Sequence, residues 1–438
     1  MTPAELLDRL RGLRGVTVDV ATTETKDVGY YILHFTQPID HNDPTLGTFQ
    51  QEVSLLHRSE LAPVPMIVHT SGYRDSYNDR PVELTQMLGA NQVSIEHRHY
   101  GHSRPDPIRW DTLTIEQMAA DEHAIIAALR TIYAGAFLST GASKGGTTAV
   151  IHRAFYPDDV DGTVAYVAPI SFGVPDPRYP AFFDTVGTQQ CREAVRAVAM
   201  EMLANRRAQL EARAQAQTSC RYTRVAIGPA VEAAIVSLEW TFWQYLGAEV
   251  CGQIPAVTAS DDEMFAFLER VSPVSDNDDE NLAVLEPYYY QSYAQLGFPD
   301  DSVWSLAPYR RYPEDAYEGR VSDGEPCYDM GEAMRKVDDY VEHRGERLLF
   351  IYGQWDPWTA GRFVRGNADD TRVFVQPRGT HRATIGQLMR ENRETALAML
   401  KAWTGVTPTL VYQSVALGPE PPGRRLSPVL APALAARR

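Results

Sequence analysis

Hydrophobic and polar positions in the first part of the chain alternate or cluster in short runs, which indicates strands. Alternating runs at 29–35 and 48–58, joined by a turn-rich stretch at 40–47, predict antiparallel strands. Continuous apolar runs that end near Gly or Pro are typical of buried parallel strands. Such runs stand at 65–70, 91–98, 135–140 and 162–169.

Helical spacing fills the intervals between these apolar runs. Residues 114–133 place apolar side chains at three- and four-residue intervals, and a second helix is expected from Gly145 to Tyr156, before Pro157. Strands that alternate with helices predict a parallel α/β sheet with right-handed crossovers.

The pattern changes between about 176 and 335, where long helical stretches at 192–207 and 231–246 replace the strand-like runs. Later strand signals at 347–353 and 371–377 are followed by a last predicted helix at 383–403. We therefore expect one α/β core that is interrupted by a helical insertion. The expected parts are 1–175 and 336–412 for the core, 176–335 for a helical cap, and 413–438 for a flexible Pro- and Ala-rich tail.

Composition excludes some classes of partner. The 438 residues include 57 acidic and 41 basic side chains, which give a formal net charge of −16. This charge argues against non-specific binding to nucleic acid or to an anionic membrane surface. No window of about 18 apolar residues predicts a transmembrane helix, and the charged, amphipathic N-terminus does not have the pattern of a signal peptide.

The four cysteines, Cys191, Cys220, Cys251 and Cys327, all fall in or near the predicted insertion. Their spacing fits no zinc motif. Two disulfides in any of three pairings, or four buried free thiols, are both compatible with the sequence.

The stretch Gly141-Ala-Ser143-Lys-Gly145 fits G-x-S-x-G, the pattern of a nucleophile elbow. In such an elbow a serine occupies a strained turn between a strand and a helix. The residues two positions before and after it must be small, because neighbouring elements approach closely. The predicted strand before Ser143 and the predicted helix after it supply this context.

A serine hydroxyl needs a base to take its proton, and the base needs an orienting acid. Of the histidines after Ser143, His152 lies on the elbow helix and His343 lies in a charged helix. His381 stands in a Pro/Gly-rich loop between a strand and the last helix, where such a base is expected. Asp356, at the carboxyl end of the apolar run at 347–353, is the matching acid; its alternative role is that of an Asp-Pro turn former.

The oxyanion hole requires backbone N–H donors. We expect one donor from Lys144, directly after the serine, and a second from Gly72 or Tyr73 in the loop after the run at 65–70. The side chain of Lys144 is expected to be solvated at the start of the helix.

Together these motifs resemble the secreted tripeptidyl aminopeptidases of actinomycete mycelium, also called prolyl tri/tetrapeptidyl aminopeptidases. The match extends from about 25 to 410 and is carried by H-T-S-G-Y at 69–73, S-I-E-H-R-H-Y-G-H-S-R-P at 94–105, G-A-S-K-G-G-T-T-A at 141–149 and Y-G-Q-W-D-P-W at 352–358. Lysosomal Pro-X carboxypeptidase and dipeptidyl peptidase II are more distantly similar. The resemblance implies an α/β-hydrolase fold with a helical cap inserted between the core strands, a Ser143–Asp356–His381 triad, and export.

Substrate contacts are less specific in the sequence. Glu96 either binds the substrate ammonium group or pairs with Arg98 or Arg104 as buried scaffolding. Other candidates for terminus binding or for a flat proline pocket are Glu239, Trp240, Trp243, Tyr245, Trp304 and Tyr288–Tyr290 in the cap, with Trp355 and Trp358 beside the acid. Each cap residue taken alone favours a place in the cap core.

We therefore predict a serine exopeptidase that releases tri- or tetrapeptides, after proline, from free N-termini through an acyl-enzyme. No metal or organic cofactor is needed. The expected partners are peptides, not nucleic acid or membrane, and the expected state is a secreted monomer, the export being implied by the resemblance. The alternatives are an esterase or lipase on the same scaffold, or a catalytically inactive binding protein.

Overall fold

The computed structural model describes residues 2–75, 79–217, 219–300, 305–321, 326–368 and 370–410. Two expectations, the flexible tail at 413–438 and the role of Trp304, lie outside the described residues. No described helix combines the length and apolar character that a membrane crossing requires.

A nine-stranded sheet forms the centre of the protein, in the spatial order β1-β2-β3-β5-β4-β6-β7-β8-β9. Strands β1 to β3 pair antiparallel, as does β3 with β5, and all later pairs are parallel. The strands are β1 Val16–Ala21, β2 Gly29–Pro38, β3 Thr48–His57, β4 Met66–Thr70, β5 Asn91–Ile95, β6 Phe137–Ala142, β7 Gly162–Tyr166, β8 Leu348–Gly353 and β9 Arg372–Gln376.

Helices cover both faces of the sheet, which explains why its central strands are continuous apolar runs. Strand β8 illustrates the arrangement: Leu348 and Phe350 pack in one apolar cluster, whereas Leu349 and Ile351 pack in another on the opposite face. The core helices are α1 Pro3–Arg11, α2 Glu83–Leu88, α3 Ile115–Arg130, α4 Lys144–Phe155, α12 Glu332–His343 and α13 Arg390–Thr404. The α3, α4 and α12 helices share one face with Phe350, and α2 and α13 share the other.

A helical region is inserted between β7 and α12, and its apolar side chains form one cluster with Tyr73, Tyr100 and Trp355 of the core. We call it the cap. Its α-helices are α5 Pro180–Phe183, α6 Gln189–Glu201, α7 Arg207–Gln215, α8 Ile227–Val236, α9 Leu238–Thr241, α10 Asp261–Val271 and α11 Asp279–Gln291. Three π-helical segments, Met202–Arg206, Phe242–Leu246 and Ser292–Leu296, directly follow α6, α9 and α11. Short 3-10 turns complete it at Ala248–Gln253, Val274–Asn277, Ala307–Tyr309 and Glu314–Arg320.

The predicted parallel α/β sheet with a helical insertion is confirmed, and two details of its elements differ from expectation. A short strand, β1, adds an edge strand that the sequence pattern did not indicate. The last helix begins at Arg390 rather than 383, because Ile385 and Gly386 donate their N–H groups to Glu83 instead.

The cysteines follow neither of the two expected arrangements. Cys191 and Cys251 form one disulfide across the cap, between α6 and the turn at Ala248–Gln253. Cys220 is a half-buried free thiol and Cys327 is an exposed free thiol.

Candidate active site

Ser143 lies on a tight turn between β6 and α4. Its φ of 56° and ψ of −128° place a non-glycine residue in a strained backbone conformation. The turn is fixed because the Ser143 N–H donates to the Tyr166 carbonyl at 2.9 Å and the Ser143 carbonyl accepts from Thr147 N–H at 3.0 Å. The hydroxyl therefore stands at the carboxyl edge of the sheet, as an elbow requires.

The two flanking glycines are sterically required. A Cβ atom on Gly141 would lie 2.4 Å from the Gly145 carbonyl carbon, and one on Gly145 would lie 2.3 Å from the Thr70 carbonyl oxygen. These distances are far below van der Waals contact, so a side chain at either position would force the strand, the helix and the next loop apart.

Asp356 and His381 form a buried hydrogen-bonded pair. The His381 Nδ1 atom lies 2.7 Å from Asp356 Oδ2, and Asp356 Oδ1 accepts from the Trp358 N–H at 3.2 Å. Burial raises the pKa of the Asp356 carboxyl above its usual value, and the adjacent imidazole opposes this rise. A carboxylate at Nδ1 fixes the tautomer in which Nε2 carries the lone pair.

The cap holds the backbone of His381. Its N–H donates to the Gln244 carbonyl, in the π-helical segment Phe242–Leu246, at 2.8 Å. The Tyr245 ring lies edge-on to the imidazole, with 5.8 Å between ring centroids. Within the described part of the chain, His381 Nε2 is buried without a hydrogen-bond partner. Ser143 and His381 are thus not hydrogen-bonded in this structure, an arrangement common in proteases without substrate.

The loop after β4 distinguishes the two N–H groups that were expected as the second oxyanion donor, those of Gly72 and Tyr73. The Tyr73 N–H donates to Ser71 Oγ at 3.1 Å, and that hydroxyl donates to the Tyr73 carbonyl at 2.8 Å. The Tyr73 N–H is therefore engaged, which argues against its predicted role. The Lys144 and Gly72 N–H groups have no protein acceptor among the described residues.

The prediction of a solvated Lys144 side chain is wrong. Lys144 is 5% exposed, and its Nζ donates to the Gly72 carbonyl at 2.6 Å. Nζ also lies 5.3 Å from the ring centre of Tyr73 and 5.5 Å from that of Tyr100. Burial lowers the pKa of the Lys144 ammonium to about 7.

A cavity of about 40 Å³ adjoins Ser143 and is lined by both core and cap. The core contributes Tyr73 and Trp358, and the cap contributes Tyr288. This volume is close to that of one water molecule. The cavity therefore lies where the core and the cap meet beside the serine.

Of the two roles predicted for Glu96, the structure supports that of buried scaffolding. The partners of its carboxylate are loop N–H and hydroxyl groups, not the expected arginines. Its Oε1 accepts from the His102 N–H, the Ser103 N–H and the Ser103 hydroxyl, and its Oε2 accepts from the Asp75 N–H. Arg98 pairs with Asp121 instead, at 2.6 Å. Burial raises the pKa of Glu96 to about 7. All of these donors belong to loops, so Glu96 organises loops rather than presenting a free carboxylate.

The cap residues that were candidates for substrate binding lie in two kinds of place: some are buried in the cap, and others lie at or beside the wall of the cavity. Glu239 is buried and paired with Arg196 at 2.8 Å, and Trp243 is fully buried. Trp240 stacks edge-on to the cavity residue Trp358, with 5.1 Å between ring centroids. Tyr288 lines the cavity.

Three further aromatic residues that were candidates for substrate binding are not among the residues that line the cavity. Tyr289 packs against Tyr293 inside the cap, and Tyr290 stacks on Trp110 at 5.1 Å. Trp355 packs beneath Gly247, where a Cβ atom would lie 2.4 Å from the indole. Trp355 therefore belongs to the contact between cap and core.

The strand order, the serine turn after the sixth strand and the buried Asp–His pair on the last two strand-end loops define an α/β-hydrolase. A family model described as PS-10 peptidase S37 matches residues 3–419. The chain therefore belongs to the S37 peptidase family, which confirms the resemblance seen in the motifs. It is also 36% identical over 419 residues to prolyl tri/tetrapeptidyl aminopeptidase from Streptomyces mobaraensis, covering 94% of this chain and 87% of that protein.

Solved structures with low similarity include acetyl xylan esterase 1 from a Thermoanaerobacterium species, at 11% identity and a TM-score of 0.38 over 91% of this chain and 92% of the esterase. Proline iminopeptidase from Mycobacterium smegmatis matches at 13% identity and a TM-score of 0.34, over 88% of this chain and 99% of that chain. Both likenesses are too distant to bear on the chemistry.

The hydrogen bond from the His381 N–H to the Gln244 carbonyl was not predicted from the sequence. The atom involved is a backbone carbonyl, so the residue type carries no signal for it. Gly247, which ends the π-helical segment with φ of 70°, is a nearby residue whose identity reflects the arrangement. The sequence also did not predict that the Ser71 hydroxyl accepts the Tyr73 N–H, although Ser71 lies in the H-T-S-G-Y motif at 69–73.

Proposed function

We propose that this chain is a serine exopeptidase that releases tri- or tetrapeptides ending in proline from free N-termini. Ser143 is the nucleophile, His381 the general base and Asp356 the residue that orients the imidazole. The observation that supports these assignments most directly is the 2.7 Å contact between His381 and Asp356 on loops at the same sheet edge as the strained Ser143 turn. The relationship to the Streptomyces aminopeptidase supports the choice of substrate.

In the proposed reaction the Ser143 oxygen attacks the scissile carbonyl carbon while His381 Nε2 takes the hydroxyl proton. The carbonyl oxygen becomes an oxyanion that the Lys144 and Gly72 N–H groups bind. When the intermediate collapses, the C–N bond breaks, His381 gives the proton to the leaving amine and an acyl-enzyme remains. Water then attacks the acyl carbon while His381 takes its proton. The bond from that carbon to the Ser143 oxygen breaks, His381 returns the proton to this oxygen, and the short peptide leaves with a free carboxylate.

The cap, proposed to span 176–335, closes the far side of the cleft and so limits how much peptide lies on the N-terminal side of the cut. Trp240 and Trp358 offer flat apolar faces suited to a proline ring. The carboxylates of Glu96 and Glu239 are engaged with protein donors, so we leave both out of the proposed ammonium site.

We further propose that the protein acts after export, as a monomer. A cap disulfide is typical of oxidising compartments, and a net charge of −16 disfavours self-association.

The test compares three substrates: a tripeptide anilide with proline before the anilide, the same anilide with an acetylated N-terminus, and a short-chain nitrophenyl ester. We expect fast release from the free peptide and a rate lower by about 100-fold for the acetylated one, since a desolvated ammonium contact is worth a few kcal/mol. The Ser143→Ala variant is expected to lose about 10⁴-fold or more in kcat.

Two outcomes would contradict the proposal. Rapid ester cleavage without peptide release would identify an esterase. Failure of a fluorophosphonate probe to label Ser143 in the folded protein, with Ser143→Ala as the blank, would identify a binding protein on the same fold.

A further inference from the structure

A buried lysine directly after the nucleophile needs an explanation. Removing an ammonium from water is costly, so buried lysines are rare unless they have a partner or a task. Among the residues that the structure describes, the Lys144 side chain makes one hydrogen bond, from Nζ to the Gly72 carbonyl at 2.6 Å. A methionine of similar length would fill the same space without the cost.

The surroundings of Lys144 leave its charge largely uncancelled. Within the described residues no carboxylate forms an ion pair with Nζ. Glu122 on α3 is the acid that acts on it through space, and Glu122 Oε2 is itself buried without a partner among the described residues. Burial raises the pKa of Glu122 well above its usual value, which favours its neutral form. The other facing groups are the Tyr73 and Tyr100 rings and His97, whose pKa is lowered by burial and by Lys144.

The partner of Lys144 lies in the loop that supplies the proposed oxyanion donor. Gly72 has φ of 71°, and a Cβ atom there would lie 2.7 Å from Gly145 N and 2.8 Å from the Lys144 carbonyl carbon. The loop thus rests directly on the first peptide of α4. Thr70 Oγ1 donates to the Gly145 carbonyl at 2.6 Å and fixes the loop at its other end.

We propose that the Lys144 side chain is a positioning residue for the oxyanion hole, acting through the Gly72 carbonyl. By holding this carbonyl the ammonium fixes the Gly72–Tyr73 peptide and so restricts rotation about Gly72, whose N–H is the proposed donor. The ammonium also adds positive charge beside the loop that forms the proposed oxyanion hole. The inference rests on the proposed function, because it assumes that Gly72 is a donor.

Both effects act on charge that exists only in the transition state. They are therefore expected to raise kcat and to leave substrate binding almost unchanged. A purely structural lysine would behave differently, because its loss would weaken the fold and would disturb substrate, product and transition-state binding alike.

The test measures kcat, KM and inhibition by a peptide boronate, which forms a negatively charged tetrahedral adduct with the serine. For Lys144→Met we expect kcat to fall by about tenfold to a hundredfold, with KM changed by less than about threefold. The boronate Ki is expected to rise in parallel with the loss of kcat, while affinity for the product tripeptide stays constant. Lys144→Arg keeps the charge and a donor, and it is expected to recover most of the lost kcat.

The matched control is Lys401→Met, which removes an exposed lysine from α13 and is expected to leave all four quantities unchanged. Unchanged kcat in Lys144→Met, or equal losses for boronate and product, would overturn the inference. If Lys144→Met does not unfold cooperatively, Lys144→Gln replaces it, and equal kcat for the Gln and Arg variants would overturn the inference as well. Peptide release by Ser143→Ala would instead reject the proposed function, whatever the lysine variants do.

Discussion

At the scale of single residues, the site is surrounded by buried ionisable groups whose pKa values are shifted toward the neutral form. Burial raises the pKa of Glu96 to about 7, and the Glu52 carboxylate on β3 adds to this effect. Asp75 and His102 also face Glu96, each through a backbone N–H that donates to it. Such shifts link folding stability to pH.

The Glu96 shift predicts a loss of stability as pH rises. The folded state holds the Glu96 proton up to about pH 7, whereas an unfolded glutamate releases it near its ordinary pKa of about 4.5. Between these values the folded state binds more protons, so its stability declines with increasing pH. We expect the wild type to lose roughly 3 kcal/mol relative to Glu96→Gln between pH 4.5 and 8, from 1.36 kcal/mol per unit. Urea unfolding of both proteins at several pH values measures this difference, and parallel curves would refute it.

Residue identities were predictable from the sequence where sterics or chain order fix them. Ser143 required small neighbours, and Asp356 and His381 had to follow particular strands in a particular order. The states of Lys144 and Glu96 were not predictable, because burial of a charged side chain depends on loops that come from distant parts of the chain. The single disulfide depends in the same way on where α6 meets the turn after Gly247.

At the scale of elements, two cap helices end in the same manner against the core. The segments Phe242–Leu246 and Ser292–Leu296 are π-helical, and each is closed by a glycine N–H that donates five residues back, Gly247 to Phe242 and Gly297 to Ser292. Gly247 packs on the Trp355 indole, and Gly297 packs on Ser171 at the cavity. Both contacts place the cap against loops of the site.

The first of these contacts predicts an effect of Gly247→Ala on catalysis. Gly247 has φ of 70° and ψ of −174°, and an added Cβ would lie 2.4 Å from Trp355. We expect a loss of about 1–3 kcal/mol in the free energy of unfolding. We also expect a lower kcat, because the Gln244 carbonyl that holds His381 must shift.

The matched control is Gly252→Ala, since a Cβ on Gly252 meets nothing within 4 Å. Unfolding by urea and steady-state rates on the peptide anilide distinguish the two variants. Equal kcat for both would show that the segment does not position the histidine.

The periodicity of apolar residues predicted the type of each element better than it predicted where the element begins and ends. Residues 231–246 were predicted as one helix, whereas the structure has α8, then α9, then a π-helical segment. The apolar spacing is nearly the same in all three, so it does not mark the transitions. The start of α13 was missed because Glu83, more than 300 residues away, takes the N–H groups of Ile385 and Gly386.

At the scale of the whole molecule, the apolar side chains of the cap form one cluster with Tyr73, Tyr100 and Trp355 of the core. The Cys191–Cys251 disulfide joins two parts of the cap. The disulfide spans 60 residues, which corresponds to about 4 kcal/mol of chain entropy removed from the unfolded state. The loss of strand-like runs predicted the helical insertion between the core strands. How the cap lies on the core was not predictable, since the contacts join residues without a local pattern.

Removal of the disulfide is expected to weaken the cap more than the sheet. For Cys191→Ala/Cys251→Ala we expect thermal inactivation at a lower temperature than the loss of sheet signal in circular dichroism, because activity needs the cap in place. Cys220→Ala, which removes a free thiol, is the control and is expected to behave as wild type. Coincident inactivation and sheet melting, both at the wild-type temperature, would contradict the prediction.

The hydrogen bond from His381 N–H to the Gln244 carbonyl has a consequence for redesign. Chimaeras that exchange caps between relatives, with the aim of changing substrate preference, would also exchange the anchor of the imidazole. A graft that keeps residues 242–247 of the recipient should retain turnover, whereas one with an unmatched segment should bind peptides and cut them poorly.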